Sequence, residues 1–177
     1  MTPTASTSNA RAFLGRVGGG GAGHGDRARA AAAGVAAATV WALAEPLDRR
    51  LFRFPYSDVA LLGKALTRGG GWRPLGLAAH AVNGAVAGLV FHEVDRRIGG
   101  GTRRNALVFM MAEHLATYPL TTLTDRFHPA RGEPGLPPLS RSLRGFAQAT
   151  FRHALFGIVL GALSPRRGPA VAVQVSC

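Results

Sequence analysis

With 177 residues and one cysteine at the last position, the chain has room for one domain and no intramolecular disulfide. Its net charge of +12 rests on twenty arginines and one lysine, with no nucleic-acid motif and no interleaving of aromatic and basic residues, so nucleic acid is not expected as a partner. Mean hydropathy is only +0.12, but the arginines lie between apolar stretches and not along helix faces as in a soluble helical domain.

Residues 1–29 are rich in Thr, Ser and Gly, including the run Gly18–Gly21, and read as a flexible tail. The first apolar stretch, Ala30–Leu47, is mostly alanine, a strong helix former that is only marginally favourable in lipid. Its Gly34/Ala38/Ala42 stripe suits close helix packing, and Pro46 is expected to end it. A short amphipathic helix in the headgroup plane is expected from Ser57, capped by Ser57 or Asp58, with Val59, Leu62, Ala65 and Leu66 on one face. Gly69–Gly71 closes it, and Trp72 and Arg73 read as an interfacial anchor.

The second span, Leu75–Val94, places Gly76, His80, Gly84 and Gly88 four residues apart. The third, Asn105–Leu123, offers the polar stripe Glu113, Thr117, Thr121. The fourth, Gly145–Leu163, repeats the four-residue device with His153, Gly157 and Gly161. Small residues at this spacing let helix backbones meet in lipid, so both histidines fall on close-packing faces. The connection from Asp125 to Ser142 has four prolines and reads as an irregular loop, and residues 164–177 read as a C-terminal tail. Lys and Arg outside the spans number ten on each side, so the positive-inside rule sets no orientation.

The expected architecture is an all-α, four-helix transmembrane bundle over residues 30–163, multi-pass in the cell membrane, with the lipid bilayer as its first partner. The Gly84/Gly88 and Gly157/Gly161 faces are the expected contacts for a second copy or another membrane protein.

Ionisable residues inside hydrocarbon are costly and point to a site or a buried pair. His80, Glu113, His114, Arg152 and His153 form the candidate polar cluster, with Glu45 at the edge and Asp125 and His128 above it in the loop. A neutralising Glu113–Arg152 ion pair is the leading reading. A proton or ion relay through Glu113, His114 and His153, with Glu113 titrating in a transporter, is the first alternative. A metalloenzyme built on His80, Glu113, His114 and His153 is the second, although the residues lack the spacing of known metal motifs, so neither a metal nor a cofactor is expected. No serine or cysteine stands in an activating context, and the leading function is a non-enzymatic structural or partner subunit.

The segments WALAEPLDRRLF, YSDVALLG, AAHAVNGAVAG, AEHLATYPLTTLTDRFHPA and FRHALFG together resemble small, uncharacterised multi-pass membrane proteins of high-GC bacteria. The resemblance covers about residues 30–163 and implies the membrane class, with no activity and no site residues.

Overall fold

The alanine-rich stretch after Arg29 lies within a helix much longer than the hydrophobic run alone. In the computed structural model, which describes residues 8–165 and their side chains from Gly23, α1 runs Ser8–Leu51. Once a nucleus exists each further residue adds a hydrogen bond, and the helical backbone continues into residues 8–29, read above as a tail. Residues 1–7 of that tail and 166–177 of the C-terminal tail lie outside the described residues. The remaining elements are α2 (Asp58–Leu66), α3 (Trp72–Ile98), α4 (Thr102–Thr117), a 3-10 turn at Tyr118–Leu120, α5 (Thr121–Phe127) and α6 (Leu143–Leu163).

Three helices are long and apolar enough to cross a membrane: α1 from Gly23 to Leu51, α3 and α6. The expected third span, Asn105–Leu123, is not one helix. Pro119 has no N–H to continue the ladder to Leu115, so α4 stops at Thr117 and the chain passes through the 3-10 turn into α5. Pro46, expected to end the first span, lies inside α1, which continues to Leu51. Glu45 and Asp48 on either side of it are held by buried hydrogen bonds that keep the helix going.

The end of α1 is a Schellman turn. The Phe54 N–H donates to the Arg49 carbonyl (3.2 Å) and the Arg53 N–H to the Arg50 carbonyl (3.3 Å), with Arg53 left-handed at φ 49°. That position usually belongs to glycine, which has no Cβ to clash there.

Glycines set the helix pairing. A Cβ on Gly34 would overlap the Gly84 carbonyl, and one on Gly88 would overlap the Ala30 carbonyl, so α1 and α3 run antiparallel with backbones touching. Gly157 and Gly161 meet Leu107 and Arg103 of α4 in the same manner. The glycine faces expected to receive another chain are thus occupied within this one. Ser57 caps α2 as expected, its hydroxyl accepting from the Ala60 N–H (3.1 Å). The buried face of α2 is Ala60 and Gly63, however, and Leu66 is 64% exposed. Gly63 and Gly76 bring α2 directly against the start of α3, so this helix packs by its smallest side chains.

The distribution of polarity is inverted relative to a soluble protein. Leu43, Leu47, Val82, Val86, Val108, Leu115 and Ile158 face outward, whereas Asp48, Gln148 and Arg152 have no exposure at all. Water as solvent would penalise both halves of that arrangement, and lipid would favour the first.

Candidate functional site

Arg152 is the centre of the polar interior. It lies on α6 one turn after Gln148, so both side chains point to the C-terminal end of α1. Its Nε and Nη2 donate to the two oxygens of Asp48, each at 2.6 Å. Its Nη1 donates to Asp58 Oδ2 (2.5 Å) and its Nη2 also reaches the Tyr56 carbonyl (3.1 Å). Gln148 Nε2 donates to Asp48 Oδ1 (2.6 Å) and to the Phe54 carbonyl (3.2 Å). A rigid planar fork suits this task, since guanidinium satisfies a carboxylate with two parallel bonds.

Two further acids complete the arrangement. Glu45 accepts from the Ser57 hydroxyl (2.6 Å) and from the Asp58 N–H (2.8 Å), so its carboxylate sits at the N-terminus of α2, where the helix dipole favours negative charge. It is 3.9 Å from Arg152 Nη1. Asp58 accepts from Trp41 Nε1 (2.9 Å) and the Tyr56 hydroxyl (2.8 Å). Burial pushes the Asp58 carboxyl up, but Arg152, helped by His80, Tyr56 and Trp41, outweighs it and holds the group below its usual range. Burial, and then Asp58, raise the Tyr56 phenol well above its usual range.

The expected Glu113–Arg152 pair does not form. Arg152 pairs with the acids of α1 and α2, and Glu113 pairs with His153, Nε2 to Oε2 at 2.9 Å. The face of α6 decides this: Arg152 points to α1 and α2, while the adjacent His153, about 100° further round the helix, points to Glu113 of α4. His153 Nδ1 is 2.7 Å from the Ala149 carbonyl. A carbonyl only accepts, so Nδ1 carries a hydrogen, and Nε2 faces the carboxylate. His153 Nε2 and the Glu113 carboxylate thus face each other within hydrogen-bond distance.

His114 points from α4 toward α6, its Nε2 3.0 Å from Thr150 Oγ1 and its ring centre 4.7 Å from that of His153, tilted by 34°. His80 is buried, its ring edge-on to Trp41 at 5.5 Å, and its Nε2 has no hydrogen-bond partner. The Glu113, Thr117, Thr121 stripe divides at the turn: Thr117 bonds the Glu113 carbonyl and carboxylate, and Thr121 bonds the Tyr118 carbonyl. Asp125 and His128 are structural, with Asp125 accepting from the Leu139 and Ser140 N–H groups and His128 Nε2 lying 2.9 Å from the Leu61 carbonyl.

A cleft of about 530 Å³ opens between α3 and α4, below α2. Asp58, His80, Glu113 and His153 line it around Trp41, and its apolar lining includes Leu62, Val86, Val90, Phe109 and Phe156. Among the described residues no three His, Cys, Asp or Glu side chains are grouped so as to hold one metal ion.

Asp48, Asp58, Gln148, Tyr56 and Trp41 are the functional candidates missing from the sequence reading. Two spacings carried the signal: Glu45 and Asp48 three apart, and Gln148 and Arg152 four apart, each on one helix face. No protein-family model, curated protein or solved structure matches the chain.

Proposed function

We propose that this is a multi-pass protein of the cell membrane that binds a small amphipathic molecule in the cleft between α3 and α4. In this reading α4 also returns across the bilayer, packed antiparallel to α6 through Gly157 and Gly161; its 16 residues reach about 24 Å, short of the roughly 30 Å core, and the 3-10 turn at Tyr118–Leu120 completes the crossing. Four crossing helices then form the bundle, with Arg152, Asp48 and Asp58 as its neutralised polar centre.

The single observation behind the proposal is the cleft itself. It has the volume of a ligand site, an apolar length and a few polar groups gathered around Trp41. The unpartnered His80 Nε2, together with Asp58 and Glu113, suits a head group that donates hydrogen bonds, while the valines and Phe109 suit an alkyl or ring body. Binding of a long-chain alcohol or amine is read from Trp41 emission in the Trp72→Phe protein, which leaves Trp41 as its one tryptophan. Saturable change that disappears in Val86→Phe is the expected result. An unchanged titration in that variant would remove the cleft as the site.

A second reading, proton transfer, rests on the His153–Glu113 pair, which lines the cleft with its two groups 2.9 Å apart. Glu113→Gln should then abolish pH-driven dye response in reconstituted vesicles while folded yield stays level. Equal response in both proteins rejects it.

A further inference from the structure

Beyond the cleft, the end of α1 carries an unusual choice of residue. The left-handed position of its Schellman turn is Arg53, where a glycine would remove the steric cost. Arg49, Arg50 and Arg53 are all exposed and, with Pro46, Phe54 and Pro55, surround an open groove of about 450 Å³. None of the three has an ion pair with a carboxylate among the described residues. Arg49 and Arg50 also complement the helix C-terminus, which accounts for cations there but not for a strained third one.

The groove sits at the end of a helix apolar enough to cross a membrane, where lipid phosphates lie. Its arginines offer forked donors to an anionic oxygen, and Phe54 with the two prolines offers apolar surface beside them. We infer that Arg49, Arg50 and Arg53 form a binding site for the phosphate head of an anionic phospholipid, at the C-terminal end of α1. A free phosphate shares the head chemistry but makes no use of the apolar side of the groove or of its place at the membrane boundary.

The test uses the full chain in a neutral detergent, adding short-chain phosphatidylglycerol, phosphatidylcholine of equal chain length, or inorganic phosphate. Phosphatidylglycerol should raise the unfolding temperature, and the other two should not. Arg53→Gly relaxes the backbone while deleting the cation, so its unfolding temperature without lipid should equal or exceed that of the parent. Its affinity for phosphatidylglycerol should fall about ten-fold, the loss of one charge-assisted bond. Arg141→Gln serves as a control for general charge and should bind normally. Native mass spectrometry, counting retained phosphatidylglycerol, gives the same comparison if Arg53→Gly changes the basal stability. Equal binding by parent and Arg53→Gly, equal loss in Arg141→Gln, or an equal shift from phosphatidylcholine overturns the site. An equal shift from inorganic phosphate overturns the lipid as its occupant.

Discussion

Arg152 and Asp48 meet through two parallel hydrogen bonds of 2.6 Å with neither side chain exposed. A pair so deeply buried contributes little net stability against an apolar replacement of both partners, yet losing one strands the other.

Arg152→Met should therefore destabilise the protein by about 3–5 kcal/mol, because it leaves Asp48 and Asp58 buried without a counter-charge. Arg152→Lys should rescue only part of this, since a single ammonium cannot reproduce the fork to Asp48 together with the bond to Asp58. Unfolding in graded denaturing detergent measures both. Arg152→Met within about 1 kcal/mol of the parent would contradict the assignment of Arg152 as the centre.

Gly34→Ala should separate α1 from α3, as its methyl has no room beside the Gly84 carbonyl. Folded yield after detergent extraction should fall sharply for this variant and for Gly88→Ala. Gly70→Ala, in the open turn before α3, should behave as the parent. A well-folded Gly34→Ala protein would show that the two helices do not touch by backbone.

Ser57→Ala removes the side-chain cap of α2 and should cost about 0.5–2 kcal/mol. Glu45→Gln loses charge at the same helix start. Ser57 donates to Glu45 at 2.6 Å, so the two substitutions should be less than additive. Strict additivity in a double-mutant cycle would mean that the shared bond contributes nothing.

Asp125 gives the loop its pH dependence. Burial pushes its carboxyl up, but the N–H groups of Ser140 and Leu139 outweigh that and hold it below its ordinary value of 3.8. A lowered native pKa gives stability that is complete above the unfolded value and is lost as pH falls through the folded one. Hydrogen-exchange protection of the Leu139 and Ser140 amides should decline below about pH 4 in the parent. In Asp125→Asn it should be low throughout and flat over that window. A parallel decline in both proteins would assign the titration elsewhere.

Much of the helical layout was legible because apolar length and four-residue glycine spacing are local signals. The glycine contacts of α3 and α6 follow from them, and the cap at Ser57 from an equally local rule of helix N-termini. The partners of Arg152 did not. Pro46 marked the end of a helix in sequence, which placed Asp48 in a loop, whereas tertiary hydrogen bonds carry the helix to Leu51. The break at Pro119 was lost for the converse reason, since the flanking Leu115, Leu120 and Leu123 kept the apolar run continuous. The first error let a local rule override long-range contacts, and the second let apolar continuity override a local rule.

Asp48 and Arg152 are 104 residues apart. During synthesis, at about 5–20 residues per second, the carboxylate emerges some 5–20 s before the guanidinium that neutralises it. Until α6 arrives, the nascent hairpin of α1 and α3 holds Asp48 without the cation that closes the polar interior. Chains interrupted before Arg152 would thus carry their own mark of incompleteness, an uncompensated charge for membrane quality control to recognise.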